Sequence, residues 1–334
     1  MQTGAISVAD LAGGVDLYTT IESGQSYAWR RADGRCYEGD DWVATDRDPG
    51  PWYHTVVGTT DGRVARRAPD AHHVVRVRRA GDRLEWASTT DGEPLLRELL
   101  RLDDDLDGIA AAAPDDPVIQ AAFEHGRDLR IVADPPFACT ISFICSAQMR
   151  VGRIHGMVTA LAREYGPTVE LDGETYHGVP TPEQLAAATE GELRDLGLGY
   201  RAPYVRDTAE MVAGGEAHPE DAAAMAYPEA REALTEFVGV GQKVADCVCL
   251  FSLGHLQAVP LDTWIRTAIA DHFPDCDRGN YDDTSRAIRD RLGADPELAA
   301  AAVPGDIDGG DALAGYVQTY LFHYLRTEDV APTA

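Results

Sequence analysis

Lysine is almost absent from this chain of 334 residues. Of its 29 basic residues, 28 are arginine and one is lysine, against 56 aspartate and glutamate residues and a formal net charge of −27 at pH 7. Such an acidic chain repels a phosphate backbone at low ionic strength. The same composition is expected of a protein that works in molar salt, where the Debye length falls to about 3 Å and net charge hardly steers binding. Charge therefore excludes no class of function.

The halophilic interpretation predicts that stability depends on salt. We expect the thermal midpoint of unfolding to fall as salt is removed, because unscreened repulsion among the carboxylates then opposes the compact state. Melting curves recorded from molar to millimolar KCl measure this dependence. A midpoint that does not change with salt would contradict the interpretation.

Cysteine pairs and long apolar runs are also lacking. The six cysteines form no CxxC pair, no Cys/His zinc pattern and no four-cysteine run, so we expect no metal or organic cofactor to be required. No stretch approaches the roughly 20 apolar residues of a membrane span. The start of the chain has no basic segment and carries Asp10, which disfavours a secretory signal. We expect a cytoplasmic protein with no membrane partner.

The one lysine is Lys243. A lone lysine is usually a solvated surface residue. Here arginine serves every other basic position, and arginine cannot lose its proton and attack carbon. A retained lysine therefore suggests a nucleophile, with the surface residue as the alternative.

The residues around the lysine are typical of a helical hairpin. Pro228 suits the first turn of one helix, and a second helix is predicted over 242–253. Between them, Gly239 and Gly241 accept the positive φ of a tight turn. The resulting helix-hairpin-helix, over about 228–254, would point backbone N–H groups at a DNA phosphate. A plain helical hairpin is the alternative.

A carboxylate follows the hairpin. Asp262 comes after Pro260 and is well placed to cap a helix that begins near Thr263. Capping alone would explain it. A carboxylate near the hairpin lysine could also perform acid–base or charge-stabilising work.

The whole chain predicts an α+β fold. Residues 1–100 alternate polar and apolar positions, with turns such as Ala80-Gly81-Asp82, and predict an N-terminal antiparallel β-sheet domain. Helical patterns begin near Pro94, include a capping-box start at Thr181, and predict a mainly helical region over 101–330 on which the sheet packs. The stretch 293–310, rich in Ala, Asp, Gly and Pro, predicts a loop.

Six segments resemble, in the same order, the helix-hairpin-helix base-excision DNA glycosylases that use a catalytic lysine. They are residues 23–30, 142–146, 175–178, 196–202, 239–262 and 314–322. Within that family they look closest to the 8-oxoguanine DNA glycosylase/lyases. The resemblance implies a monomeric, nucleoid-associated enzyme that binds double-stranded DNA, removes 8-oxoguanine opposite cytosine, and cuts the backbone by β-elimination.

The resemblance also implies roles for individual residues. Lys243 would attack C1′ of the damaged nucleotide, and Asp262 would stabilise the developing sugar cation. Four residues would form the pocket for the flipped base: Gly24 through its carbonyl to the N7–H of the lesion, Cys247 beside the lysine, Gln318 at the Watson–Crick edge and Phe322 by stacking.

Other residues would contact the DNA or an ion. Those on the DNA would be Gln148, which fills the space left by the base, Tyr200, which wedges into the stack, Arg153 and Arg201, which face the opposite cytosine, and Gly239 and Gly241 of the hairpin. A structural cation would bind the backbone carbonyls of Thr235, Phe237 and Val240.

The sequence departs from the family at several positions, among them Met149 and Arg150, which stand where the family has more amides. Gln148 stands where the family has asparagine, Val238 replaces the usual proline of the hairpin, and Trp264 replaces a histidine near phosphate. These changes put the preference for the opposite base in doubt, and they leave the nucleophile and the aspartate untouched.

Three alternatives compete with this interpretation. A monofunctional alkylated-base glycosylase would share Asp262 but has no need of Lys243. A non-catalytic DNA-binding protein would have no reason to keep its only lysine at that position. An adenine- or pyrimidine-lesion glycosylase of the iron–sulfur branch needs a cysteine cluster that the sequence lacks.

Overall fold

The computed structural model describes residues 1–37, 48–60, 63–64, 71–304 and 312–328. Within them an antiparallel sheet has the strand order β1-β6-β5-β3-β2, with β4 paired to the end of β3. Its strands are β1 (Gln2–Ser7), β2 (Arg30–Arg31), β3 (Tyr53–Thr60), β4 (Arg63–Val64), β5 (Ala71–Ala80) and β6 (Arg83–Ser88). A separate hairpin pairs β7 (Thr168–Leu171) with β8 (Glu174–His177).

Helices make up most of the remaining described chain. The first eight are α1 (Leu17–Ile21), α2 (Gly92–Leu99), α3 (Leu106–Ala112), α4 (Pro117–His125), α5 (Pro136–Ile144), α6 (Val151–Tyr165), α7 (Pro182–Ala186) and α8 (Glu190–Leu193). They are followed by α9 (Ala202–Ala213), α10 (Tyr227–Leu234), α11 (Gln242–Phe251), α12 (Thr263–His272), α13 (Tyr281–Leu292), α14 (Pro296–Ala302) and α15 (Ala314–Glu328). In the described part of the chain, no helix has the length and apolar character needed to cross a membrane.

The sheet packs on the helices through one face. Along β5, Val75 and Val77 are fully buried, while Arg76 and Arg78, at the alternate positions, are partly exposed. Successive side chains of a strand point to opposite faces, so this alternation places one face in the core. The predicted antiparallel sheet and the α+β fold are confirmed.

One apolar core joins the sheet to the helices. It includes Val75 of the sheet, Leu96 of α2 and Val248 of α11, all fully buried. The sheet and the helix that carries the lysine thus belong to one core. The domain boundary expected near residue 100 stays a prediction.

Most local signals act as expected. Thr181 and Gln184 form the predicted capping box of α7. The loop predicted over 293–310 is wrong in part, because Pro296–Ala302 form α14. The Asp295 side chain accepts hydrogen bonds from the Glu297 and Leu298 N–H groups at 3.0 and 3.2 Å, which starts this helix. Residues 305–310 of that stretch lie outside the described residues.

Candidate active site

The predicted helix-hairpin-helix is formed by α10 and α11. Its turn needs a left-handed residue at Gly239, whose φ is +85°, and a Cβ there would lie 2.6 Å from Cβ of Tyr204. Gly241 does not meet the same expectation. Its φ is −93°, it is exposed, and it is the N-cap of α11. Only the first glycine is therefore required by backbone conformation.

The two hairpin glycines predict different costs of substitution. We expect Gly239→Ala to lower the free energy of unfolding by about 2 kcal/mol or more, since a left-handed conformation costs an L-residue roughly 1–2 kcal/mol before any clash. Gly241→Ala, the matched control, should cost about 1 kcal/mol or less, because its Cβ meets nothing within 4 Å and alanine is only a poorer cap. Urea unfolding in molar KCl measures both. Equal costs would contradict the conformational argument.

Lys243 lies in the first turn of α11 and is partly buried. Its Nζ donates a hydrogen bond to Oγ of Ser146 at 3.1 Å and lies 5.3 Å from the ring centroid of Phe143. The Ser146 hydroxyl donates in turn to the Phe143 carbonyl at 2.7 Å. The amine is thus held over the end of α5 by a serine whose role the sequence did not indicate.

Cys247 lies one turn after Lys243 on the same face of α11. Its side chain is buried, and it lies close enough to Lys243 to feel the charge of the amine. Burial raises the pKa of the thiol to about 12, although the lysine charge acts in the opposite direction. The cysteine therefore stays a neutral thiol beside the amine.

Asp262 caps α12, as predicted. Its Oδ1 accepts a hydrogen bond from the Ile265 N–H at 2.8 Å. Desolvation in the site raises the pKa of the carboxyl above its ordinary value, while the Ile265 N–H and the charge of Lys243 act to lower it. The cap fixes one carboxylate oxygen and so orients the group toward the cleft that it shares with the lysine.

The residues predicted to form the base pocket lie where the N-terminal segment meets α15. Gly24 has a φ of +98°, and a Cβ there would lie 3.2 Å from Val151 and 3.5 Å from the Phe322 ring. Gln318, one turn before Phe322, is only 3% exposed. Its Oε1 has no hydrogen-bond partner among the described residues. A buried acceptor left unpaired costs roughly 1–3 kcal/mol, so a ligand N–H would be bound favourably here.

The segment that carries Gly24 is clamped to the helical region. Nε2 of Gln25 donates to the Arg130 carbonyl at 2.9 Å, and its Oε1 accepts from the Val132 N–H at 3.1 Å. The Tyr37 hydroxyl accepts from the Gly24 N–H at 3.2 Å. We term these contacts of Gln25 and Tyr37 the Gln25 clamp. They fix the peptide that presents the Gly24 carbonyl.

Three of the predicted DNA-contacting side chains are at the surface. Gln148 and Arg153 are exposed near the cleft, and Gln148 is held at a φ of +54°. Tyr200 is 53% exposed. Beside it stands Tyr204, also exposed, with ring centroids 6.3 Å apart. Tyr204 was not predicted from the sequence. It follows Tyr200 by four residues, a spacing that puts both rings on neighbouring turns and could have indicated it.

The resemblance implies that Arg201 faces the opposite cytosine, but the side chain is buried in this structure. It is 3% exposed and donates a hydrogen bond to the carbonyl of Ala147. Its guanidinium lies 4.3 Å from the ring centroid of Tyr200. In this structure Arg201 thus joins Tyr200 to the segment that carries Gln148, and its contact with an opposite base stays a prediction.

The hairpin carbonyls expected to bind a cation fit that role only in part. The Phe237 carbonyl accepts a hydrogen bond from the Val240 N–H at 3.0 Å, which occupies one of its two lone pairs. Thr235 is the C-cap of α10, and Val240 lies in the connection between α10 and α11. Cation binding stays a prediction, and no step of the chemistry depends on it.

One open cleft of about 1650 Å³ brings most of the predicted residues together. The predicted residues that line it are Gly24, Gln148, Arg153, Gly239, Gly241, Lys243, Cys247, Asp262, Gln318 and Phe322. Tyr200 and Arg201 are not among its lining residues. The cleft therefore combines an amine, a carboxylate and a recessed acceptor on a surface bordered by the hairpin.

Comparison with known proteins agrees with the family resemblance seen in the sequence. Residues 141–293 match the family model of the HhH-GPD superfamily base excision DNA repair protein. The chain is 33% identical over 232 residues to the probable N-glycosylase/DNA lyase of Methanothermobacter thermautotrophicus, an alignment that covers 64% of this chain and 68% of the relative.

Solved structures extend the similarity over nearly the whole chain. A structure of MBOgg1 in complex with a low-affinity DNA ligand matches with a TM-score of 0.75 at 26% identity, covering 98% of this chain and 96% of the other. The apo-form of Clostridium acetobutylicum 8-oxoguanine glycosylase/lyase matches with a TM-score of 0.68 at 25% identity, covering 93% of each chain. This protein therefore belongs to the HhH-GPD superfamily of base excision DNA repair proteins.

Proposed function

We propose that this protein is a bifunctional DNA glycosylase/lyase that removes 8-oxoguanine from double-stranded DNA and then cuts the backbone at the abasic site. The observation that carries the proposal is the shared cleft, where the only lysine of the chain and the capping Asp262 lie with Gly24 and Gln318. The names of the N-glycosylase/DNA lyase and 8-oxoguanine glycosylase/lyase relatives support it. The enzyme would act as a monomer on chromosomal DNA in the cytoplasm.

Base removal begins with extrusion of the damaged nucleotide. A base within a duplex cannot reach a recessed cleft, and extruding it costs a few kcal/mol. The exposed side chains of Tyr200 and Gln148 would offset that cost by entering the stack. As the bond between C1′ and the base N9 breaks, its electron pair leaves with the base, and positive charge grows on the sugar. The carboxylate of Asp262 stabilises that charge.

The amine of Lys243 then forms the covalent intermediate. It must be neutral to attack C1′, and the Asp262 carboxylate, made more basic by desolvation, is a suitable proton acceptor. With one N–H donated to Ser146, the lone pair of the neutral amine is left for carbon. Ring opening gives an imine, and loss of a C2′ proton expels the phosphate on C3′, which breaks the strand.

Recognition of the lesion rests on hydrogen bonds that guanine cannot match. The Gly24 carbonyl, held by the Gln25 clamp, would accept the N7–H that 8-oxoguanine has and guanine lacks. An acceptor enclosed by the bound base rejects guanine, because with guanine the acceptor would be left unpaired. Gln318 would accept an N–H from the Watson–Crick edge, and Phe322 would stack on the base. Arg153 would face the opposite cytosine, with Arg201 behind the wedge.

Borohydride trapping tests this proposal. The protein is incubated in molar KCl with a duplex that carries 8-oxoguanine opposite cytosine, beside an undamaged duplex as the control. A trapped adduct on the damaged duplex alone is the expected result. Base release without an adduct would favour a monofunctional glycosylase. DNA binding with neither product would favour a non-catalytic binding protein.

A further inference from the structure

Besides Asp262, a second carboxylate lies near the lysine. It is Asp246, which is on helix α11 three residues after Lys243. It is fully buried. Its Oδ1 accepts a hydrogen bond from the Tyr227 hydroxyl at 2.6 Å, and its Oδ2 accepts one from the Tyr281 hydroxyl at 2.7 Å. A buried carboxylate is costly unless it is paired in this way. Both phenols are therefore anchored to the helix that carries the nucleophile, although the reaction uses neither of them.

Tyr281 makes a further contact that distinguishes it from Tyr227. Its hydroxyl oxygen also accepts a hydrogen bond from the Leu261 N–H at 3.2 Å. Leu261 is 3% exposed and directly precedes Asp262. In the described part of the chain, the Tyr227 hydroxyl makes no such contact with this segment. The two tyrosines thus share Asp246 as an anchor, and only Tyr281 also contacts the residue that precedes Asp262.

The segment before Asp262 has little other support from regular structure. It follows Pro260, which has no N–H, and it lies between the end of α11 and the start of α12. Its position relative to Lys243 therefore depends on the packing of the buried Leu261 side chain, on the hydrogen bond from the Asp262 N–H to the Pro260 carbonyl at 2.9 Å, and on the contact with Tyr281. The path from Asp246 through Tyr281 to Leu261 begins on the lysine helix and ends one residue from the carboxylate.

We propose that Tyr281 is a positioning residue for the chemical step. Its hydroxyl, anchored on Asp246, sets where the Asp262 carboxylate lies relative to the Lys243 amine. The inference rests on the proposed function, because both groups must act on the same C1′. Displacing a catalytic group by about 1 Å can lower a rate on the order of a hundredfold, so loss of this hydroxyl slows base release.

The matched pair Tyr281→Phe and Tyr227→Phe tests the role. Each variant removes one hydrogen bond to Asp246, and Tyr281→Phe also leaves the buried Leu261 N–H unpaired, so it should lose the more thermal stability of the two. Only Tyr281→Phe releases the Leu261 N–H. We expect it to slow single-turnover release of 8-oxoguanine by about tenfold or more, whereas Tyr227→Phe stays within about threefold of the parent protein. Affinity for a duplex with a stable abasic-site analogue should not change in either variant.

Asp246→Asn tests the positioning role independently, because it changes the anchor of Tyr281 and leaves the tyrosine in place. Its single side-chain oxygen cannot serve both phenols as the carboxylate does, so base release should slow in this variant too. Equal rates in the two Tyr→Phe variants, or a slower rate that is matched by weaker DNA binding, would overturn the positioning role. A parent protein that releases no base would overturn the proposed function, and the positioning role with it. An active parent with equal variants would overturn the positioning role alone.

Discussion

Lys243→Gln eliminates the borohydride-trapped adduct and lowers strand cleavage on the order of a thousandfold or more, as expected when a nucleophile is removed. An amide cannot form an imine with the sugar. No other side-chain amine exists in the sequence, so no neighbour can substitute. Denaturing gels of the trapped and cleaved duplex measure both effects.

Lys243→Arg is the matched control for charge. It keeps the cation beside Ser146 and Phe143 but cannot supply a neutral amine. We expect it to bind a duplex with an abasic-site analogue as tightly as the parent protein and to give no adduct. An adduct that persists in both variants would transfer the nucleophile to the N-terminal amine and contradict the assignment of Lys243.

Asp262→Asn should slow base release by roughly a hundredfold to a thousandfold, the range observed when one electrostatic partner of a transition state is lost. The substitution is close to isosteric, and asparagine caps helices about as well as aspartate. Folding stability should therefore change little. Single-turnover kinetics on the 8-oxoguanine duplex and thermal melts of the same sample separate the two effects.

Two comparisons sharpen the Asp262 prediction. On a duplex that already contains an abasic site, no glycosidic bond remains to be broken, so trapping by Asp262→Asn should be reduced less than base release. Asp262→Ala also removes the cap to the Ile265 N–H and should cost about 1 kcal/mol of stability. A normal rate of base release in Asp262→Asn would show that the carboxylate acts only as a cap.

The parts of the site that the sequence predicted depend on local signals. The turn at Gly239, the proline of α10 and the cap of α12 each act within a few residues, so they could be predicted without knowing the fold. The single lysine suggested a candidate nucleophile by composition alone. Gly241 shows the limit of such reasoning, because two glycines of one turn have different conformations.

The parts that escaped prediction depend on contacts between distant segments. Arg201 bonds to a carbonyl 54 residues away, and its burial follows from that packing. Ser146 accepts a hydrogen bond from Lys243, which lies 97 residues later in the sequence. The β7–β8 hairpin differs, because a local signal was present and was overlooked. Asp172 and Gly173 have φ values of 57° and 79°, as the two-residue Asp-Gly turn of a hairpin requires.

The Gln25 clamp has a consequence for how this enzyme can diverge. The acceptor that would read the lesion is carried by the N-terminal segment, yet residues 130–132 and Tyr37 hold it in place. The segment that would recognise the lesion and the hairpin that carries the lysine therefore cannot be exchanged separately. A hairpin grafted onto another scaffold would transfer the nucleophile and leave the discrimination behind, and new substrate ranges in this lineage should arise by substitutions that preserve both sides of the clamp.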